Sequence, residues 1–555
     1  MSTGSTSRVT LANVIEAVGS SDLQPRRKQE LVASVRTVAR VLGREPAEII
    51  ADPRTLSVKL RRVAPIAVDL SIGRWNNVRS HLRAALELVR PMLKGRSSQP
   101  MEPAWLTLFE AVPTRSDRYK LSRPLRWLSG EGIGPESVTR QDLDRYRSLL
   151  VEATLIKDVD AKLDQMFQVW NRAARNVPGW PQVLIERAPD PNSFSFDWSV
   201  FPANLKADVD RWLARLSGTD LLDEDAPIRP LRGPTLKGLE YGMRAFASAL
   251  VHRGRRPEEL VSIGACLMLD NFKEGLRFFL DRRGGVSTRG VSKLADSMKA
   301  AAKHWVKVDA ETLKEMDDVT RRLAVPQLGM TQKNRERLIA TNDPEVREKL
   351  MSLPWTLQVE VIGGKHGPKH RGVLAQMAVA IAIQLVAPLR VKNLASLEIG
   401  RHLVNVGSKL IISIPSDELK NRANDLVFEM PAEIADLIRW YIEKHRTADI
   451  TNRYLFPGAK GGAKAVRTLQ TQIQGTVHAY TGLDWNVHLF RHFGAKQYLD
   501  ARPGEYEIVR RVLGHSSIKT TTNAYTGLET LSASRHFAAQ VLKRRAAKDG
   551  GERRS

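Results

Sequence analysis

The chain has 555 residues, 42% of them hydrophobic and 26% charged, a balance that excludes global disorder and collagen and fits three to four domains of about 150 residues each. A single cysteine, Cys266, excludes an internal disulfide framework and a zinc finger. The 86 Lys and Arg outnumber the 61 Asp and Glu to give a net charge of +25, which predicts a polyanionic partner, nucleic acid ahead of an anionic membrane surface.

The N-terminal part of the chain is predicted to be helical and to contain three related modules. Apolar residues recur at three- and four-residue spacing in segments such as Lys28 to Leu42, and alternating strand-like runs are scarce before residue 400. The pattern Gly-x-x-Pro-x-x-aliphatic follows a helical segment at 43–49, 132–138 and 254–260. Because glycine ends helices and proline opens them, the pattern indicates either a degenerate repeat or common punctuation between helices.

The sequence also predicts how the chain divides into domains and linkers. The first residues, MSTGSTSRVT, lack the apolar segment of a secretory signal, and the run Met377 to Ile383 is too short to span a membrane, so a cytoplasmic protein is expected. The turn-forming run that begins at Ala188 predicts a linker. The predicted parts are a helical N-terminal module (1–95), a second helical module (96–185), a linker (186–228), a third helical module (229–325), a final domain (326–535) and a basic, solvated C-terminal tail (536–555).

The final domain is predicted to be mostly helical with one strand-like patch. The runs Lys409 to Pro415 and Leu426 to Pro431 alternate apolar and polar residues and flank the polar stretch 416–425. This pattern indicates a β-hairpin with a long polar tip. The predicted fold class is therefore mainly α with a small β-hairpin or sheet, in tandem helical modules followed by one larger domain.

Candidate chemical residues concentrate in this final domain, beginning with two basic side chains. Arg390 follows an apolar helix, Val373 to Val386, and a guanidinium held rigidly at such a break suits a phosphate. Lys420 lies on the predicted hairpin tip. Taken alone, the structural interpretation is favoured for both residues: Arg390 as a surface ion-pair partner and Lys420 as a solvated loop lysine.

Two further groups lie closer to the C-terminus. His488 and Arg491 are spaced one turn apart, on one face of a predicted helix. A Gly-His515 turn leads through a threonine-rich stretch to Tyr525. Taken one at a time, His488 and Arg491 are expected to be a helix pair, His515 a helix cap and Tyr525 a packing residue. Only their order along the chain indicates a function.

That order, Arg, Lys, His-x-x-Arg, His and Tyr, resembles the tyrosine recombinase (phage integrase) family over roughly 350–535. The segment Leu513-Gly-His-Ser-Ser-Ile followed by Thr-Thr and Tyr525 is similar to the C-terminal signature of that family. The third module stands where the helical core-binding domain of the family is expected. The chain departs from the family at Asn393, where an acid is usual, in the reading His-Leu-Phe-Arg-His, in a step of ten residues from His515 to Tyr525 where nine is usual, and in its long N-terminal region.

The resemblance implies a DNA strand-transfer reaction without metal, ATP or other cofactor. Arg390 and Arg491 would clamp the phosphate oxygens, and His515 would add a hydrogen bond. Tyr525 would attack to form a 3′-phosphotyrosine, Lys420 would protonate the leaving 5′-oxygen, and His488 would assist proton movement at the tyrosine.

The implied partner is double-stranded DNA, bound by a homo-tetramer on two sites, with sister recombinases or a directionality factor as possible helpers. The implied activity is integration or excision of a mobile element in a bacterial cell. Two alternatives stay open: an enzyme like a type IB topoisomerase or telomere resolvase, and a catalytically silent DNA-binding partner of other recombinases.

Overall fold

The protein is described from a computed structural model, and it is mostly helical with a small antiparallel sheet. It divides into two compact units, one comprising Met1–Ile185 and Leu328–Ser555 and the other Glu186–Gln327. None of the helices within the described ranges is long and apolar enough to cross a membrane. The structure describes residues 9–61, 63–89, 100–152, 154–155, 159–185, 193–218, 227–326, 329–364, 366–419, 424–446, 451–459, 461–526, 533–539 and 541–542.

The first helical module packs around Leu31, Val35, Trp75 and Leu82. Its 3₁₀ turns span Pro46–Glu48 and Pro65–Val68. Its helices are α1 (Leu11–Ser20), α2 (Pro25–Val41), α3 (Pro53–Arg61) and α4 (Ile72–Leu86).

The second helical module has a separate core in which Trp105, Trp170 and Trp180 meet with ring centroids 5.3 to 6.4 Å apart. Large aromatic surfaces of this kind bury more apolar area per residue than any other side chain. A 3₁₀ turn spans Pro135–Ser137. The helices are α5 (Pro103–Ala111), α6 (Arg115–Gly130), α7 (Arg140–Glu152) and α8 (Val159–Asn176).

The other unit holds the third helical core. It has 3₁₀ turns at Trp198–Val200 and Pro257–Glu259 and a π-helical turn at Ala302–Val306. The range 186–228, predicted to be a linker, contains a full helix whose Leu205, Val209 and Trp212 are buried in this core, so the apolar spacing of that helix outweighs the turn-forming residues before it. The helices are α9 (Ala203–Ser217), α10 (Gly233–His252), α11 (Ile263–Cys266), α12 (Leu269–Asp281), α13 (Arg289–Ala301) and α14 (Ala310–Leu323).

The three Gly-x-x-Pro patterns adopt the same turn. Gly43, Gly132 and Gly254 have φ values of +63°, +71° and +94°, which a side chain would strain. In each copy the residue after the glycine donates its N–H to the carbonyl five residues earlier, at 3.2, 3.0 and 3.0 Å, which is the glycine helix end of a Schellman motif. A 3₁₀ turn that begins with the proline then leads to the next helix in every copy.

The final domain is built around one buried helix, α18. Every residue from Leu374 to Gln384 is buried, because α17, α20, α21 and α22 surround it. A helix apolar on all sides belongs at the centre of a domain. The helices are α15 (Gln332–Ile339), α16 (Pro344–Met351), α17 (Leu353–Ile362), α18 (Pro368–Val386), α19 (Val391–Ala395), α20 (Ala432–Lys444), α21 (Val466–Thr481), α22 (Leu489–Ala501), α23 (Tyr506–Leu513) and α24 (Ile518–Tyr525).

The predicted hairpin forms as two strands of a three-stranded antiparallel sheet. Strand β2 (Lys409–Ile414) pairs with β3 (Leu426–Glu429), with Ile412 opposite Phe428. The strand that the sequence reading missed, β1 (Leu403–Val406), pairs with the other edge of β2 through a two-residue turn. A 3₁₀ turn, Ser416–Glu418, follows β2 and leads toward the hairpin tip, of which 420–423 lie outside the described residues.

Candidate functional site

Arg491 lies in the first turn of α22 and joins two other segments of the site. Its side chain is only 3% exposed. Nη1 donates to the carbonyl of Pro388 at 2.6 Å, and Nη2 donates to the carbonyl of Leu513. The first carbonyl is two residues before Arg390 and the second is two residues before His515. One buried guanidinium therefore fixes both neighbouring chain segments.

The two arginines form a buried concentration of positive charge. Arg390 is half-buried at the N-cap of α19. Desolvation lowers the pKa of Arg390, and desolvation together with the charge of Arg390 lowers the pKa of Arg491 to about 10. Tyr525 acts in the opposite direction and raises the pKa of Arg491. An anion that entered between the arginines would relieve their mutual repulsion.

His515 is placed by the left-handed turn at Gly514, where φ is +59°. Its Nδ1 meets the Thr521 Oγ1 at 2.9 Å, and its carbonyl accepts a hydrogen bond from Arg510 Nη1 at 2.9 Å. Desolvation, followed by the charges of the two site arginines, lowers the pKa of His515 to about 4. The imidazole is therefore neutral at pH 7, and its Nε2 is the nitrogen left for a further partner.

Tyr525, the last residue of α24, is 1% exposed and bound to a histidine that the sequence reading did not select. Its hydroxyl lies 3.1 Å from His492 Nδ1, and the two rings meet at a centroid distance of 5.5 Å. Burial raises the pKa of Tyr525 to about 12, against the opposing charge of Arg491. Desolvation, followed by the neighbouring His488, Arg491 and His515, lowers the pKa of His492 to about 3, so this ring is neutral and its Nδ1 can accept a hydrogen bond from the phenol.

His488 stands one residue before α22 rather than inside it. It is the N-cap residue, and its ring lies 4.7 Å from that of His492, nearly perpendicular to it. Partial desolvation and the charges of Arg491 and Arg390 lower its pKa. The ring of His488 contacts His492, which in turn contacts Tyr525.

The sixth predicted residue, Lys420, lies outside the described residues. The chain leading to it is held by Asn393, whose Nδ2 donates to the Glu418 carbonyl at 3.4 Å. The residue that departs from the family pattern thus ties α19, directly after Arg390, to the base of the hairpin. His515 lines a cleft of about 440 Å³ whose other walls are Leu419, Asn424 to Phe428, Arg510 to Val512, Gly514 and Ser516.

The structure therefore brings five of the six predicted residues into one cluster. The charge of Arg390 lowers the pKa values of Arg491, His488 and His515. The charge of Arg491 opposes the rise in the pKa of Tyr525. No group of three His, Cys, Asp or Glu side chains suited to a metal ion occurs within the described ranges. The guanidinium groups of the two arginines and the neutral imidazoles can bind an anionic tetrahedral centre, and the phenol can act as a nucleophile toward it.

Residues 372–531 match the model of the phage integrase family. Similar solved structures include an integrase of the Tn1549 transposon in complex with transposon right end DNA (18% identity, 56% of this chain, 95% of that chain, TM-score 0.36) and XerA recombinase (17% identity, 60% of this chain, 98% of that chain, TM-score 0.26). A lambda integrase dimer bound to a COC′ core site is 12% identical over 68% of this chain and 90% of that chain, with a TM-score of 0.34. A search of curated protein sequences returns no match.

Proposed function

We propose that the chain is a site-specific DNA recombinase, and the match of residues 372–531 to the model of the phage integrase family supports this proposal. The observation that carries the proposal is the cluster itself: two desolvated arginines that act on each other, beside Tyr525 and the neutral His515. A phosphodiester supplies the anion that such a pair lacks, and forked guanidinium groups suit its non-bridging oxygens.

In the proposed reaction the Tyr525 oxygen attacks the phosphorus of the scissile phosphate. A 3′-phosphotyrosine bond forms, the bond to the 5′-oxygen breaks, and Lys420 gives that oxygen a proton. The phosphate anion bound beside the arginines raises the basicity of the neighbouring imidazoles, and the phenolic proton then passes along the 3.1 Å contact to the His492–His488 pair. Because the phosphotyrosine keeps the energy of the broken bond, a second DNA end reverses the step without ATP.

Arg390, Arg491 and His515 stabilise the charge that develops on the phosphate during this step. His515 uses Nε2, since Nδ1 is engaged by Thr521. Arg491, held by two backbone carbonyls, and His515, held by Thr521, need little reorganisation in the transition state, and preorganised donors of this kind are the main source of catalysis in phosphoryl transfer.

We place this activity on double-stranded DNA in a homo-tetramer that pairs two sites, as part of the integration or excision of a mobile element in a bacterial cytoplasm. Sister recombinases or a directionality factor are proposed as optional helpers. The exposed apolar side chains Phe537, Val541 and Leu542, near the C-terminus, support a contact with a neighbouring subunit.

Parallel assays separate this proposal from its two alternatives. The wild-type protein is incubated with a supercoiled plasmid lacking a paired site and with a plasmid carrying two copies of the element boundary. Recombination of the second plasmid supports the proposal. Relaxation of the first without recombination of the second indicates a topoisomerase, and binding without either product indicates a silent partner.

A further inference from the structure

Arg510, near the end of α23, holds both backbone polar groups of His515. The C-cap of α23 is Gly514, whose φ of +59° reverses the chain just before His515. The N–H of His515 donates to the Arg510 carbonyl at 3.0 Å, which is the long hydrogen bond of a Schellman motif. The Arg510 side chain then returns to the same residue, because its Nη1 donates to the His515 carbonyl at 2.9 Å. The backbone of His515 is therefore bound to Arg510 on both sides.

A carboxylate one turn earlier in α23 orients the Arg510 side chain. Nε and Nη2 of Arg510 donate to the two carboxylate oxygens of Glu507 at 2.7 and 2.8 Å, which makes a bidentate pair. The hydrogen bond raises the pKa of Arg510, and the hydrogen bonds from Arg510 and Arg511 lower the pKa of Glu507 to about 2. A partly exposed ion pair adds little stability by itself, but two parallel hydrogen bonds fix the plane of the guanidinium and direct Nη1 at the His515 carbonyl.

The site holds the same turn from its buried side. Arg491 Nη2 donates to the Leu513 carbonyl, and the Nδ1 of His515 meets the Thr521 Oγ1 in α24. The Glu507–Arg510 pair adds an attachment at the His515 carbonyl. Since the backbone and Nδ1 of His515 are both engaged, its Nε2 keeps a fixed direction.

We infer that Glu507 and Arg510 form a positioning pair, which holds the His515 imidazole in the orientation that the phosphate requires. The inference rests on the proposed function, in which His515 Nε2 binds the scissile phosphate. Phosphoryl transfer depends on donors that are placed before the reaction begins, and a displacement of about 1 Å slows an enzyme by up to about a hundredfold. Neither residue has to touch DNA to exert this effect.

The test compares three alanine variants of α23 in the full-length chain: Arg510→Ala, Glu507→Ala and Arg511→Ala. Arg511 is the matched control because its Nε donates to the same Glu507 carboxylate at 2.9 Å, while its side chain is 73% exposed and contacts Glu507 rather than His515. The rate of covalent adduct formation is measured on a nicked duplex at saturating protein, and the affinity for that duplex by fluorescence anisotropy. Arg510→Ala and Glu507→Ala should each slow adduct formation by about tenfold or more, whereas Arg511→Ala should not.

Glu507→Ala separates positioning from charge. Loss of an acid makes the protein more positive, so an effect through charge alone would strengthen DNA binding and leave adduct formation intact. Positioning predicts slower adduct formation although the affinity for DNA does not fall. Adduct formation at the wild-type rate in Glu507→Ala would overturn the inference, and so would equal slowing in Arg510→Ala and Arg511→Ala.

A double-mutant cycle shows whether the pair acts through His515. In a His515→Ala background, Arg510→Ala should cause little further slowing; a full additional loss would mean that Arg510 acts elsewhere and that the inference is wrong. If thermal unfolding shows that Arg510→Ala does not fold, Arg510→Met takes its place, since it keeps the length of the side chain without its donors.

Hydrogen exchange tests the attachment without any DNA. Backbone amides of residues 510–515 should exchange faster in Arg510→Ala and in Glu507→Ala than in the wild type or Arg511→Ala, and unchanged exchange would overturn the inference. Absence of an adduct in the wild type would instead refute the proposed function, so the two failures are distinguishable.

Discussion

Tyr525→Phe separates the proposed chemistry from the architecture of the site. The change removes one oxygen atom and preserves the ring, the charge and the packing. A nicked duplex incubated with the wild type should yield a protease-sensitive adduct that migrates slowly on a denaturing gel. The variant should bind the same duplex almost as tightly and give no adduct, because the phenolic oxygen is the proposed nucleophile.

The structure also gives the change a cost in stability. The hydroxyl is buried, and its removal leaves His492 Nδ1, 3.1 Å away, without this partner. Losing one partner of a buried hydrogen bond destabilises a protein by about 1–2 kcal/mol. In a domain of this size such a loss lowers the unfolding temperature by about 2–8 °C, measurable by calorimetry.

Tyr441→Phe is the matched control because it removes a hydroxyl of the same kind from the same domain. Tyr441 is buried, and its hydroxyl donates to the Leu455 carbonyl at 3.1 Å. It should lower the unfolding temperature similarly and keep the adduct. An adduct that persists in Tyr525→Phe would refute the assignment and direct attention to another tyrosine near the site, Tyr506, which begins α23 and precedes His515 in the chain. Loss of the adduct in both variants would attribute the effect to stability instead.

Three other predictions concern the hairpin, the histidines and the third helical core. Lys420→Ala should slow cleavage strongly on an ordinary phosphodiester but much less when sulfur replaces the leaving 5′-oxygen; equal slowing would exclude Lys420 as the general acid. Folding lowers the pKa of His515 from 6.5 to about 4, so between these pH values the unfolded chain binds more protons than the folded one. The free energy of unfolding should therefore be highest above pH 6.5 and should fall as the pH approaches 4. Thermal unfolding at several pH values should show this fall, and the fall should be smaller in His515→Asn. Gly275→Ala should destabilise the unit Glu186–Gln327 by about 1–3 kcal/mol, because the new Cβ would lie 2.5 Å from Phe246 Cζ. Gly242→Ala introduces a Cβ that meets only ordinary contacts, so a denaturant titration should find this variant as stable as the wild type or more stable.

Local patterns predicted the elements that local forces determine. The alternation in Lys409 to Pro415 and in Leu426 to Pro431 predicted the β2–β3 hairpin, which forms as expected. The short strand Leu403–Val406 was missed, since four residues with a polar Asn405 show too little alternation to separate from a loop. The helix at Ala203–Ser217 was hidden by a neighbouring run of prolines and polar residues, although its own Leu205, Val209 and Trp212 repeat at helical spacing.

The hydrogen-bond partner of Tyr525 could not be predicted from spacing along the chain. His488 and His492 are four residues apart, and the sequence makes each an equally suitable neighbour of Arg491. The choice depends on where α24 approaches α22, which long-range packing determines: Gly329 comes so close to α24 that a Cβ there would lie 1.9 Å from the Asn523 carbonyl oxygen. That contact, made by a residue almost two hundred positions earlier in the chain, helps to set the end of α24 at which the Tyr525 hydroxyl meets His492. Spacing along the chain identified the residues of the cluster, but only tertiary packing determines which of them touch.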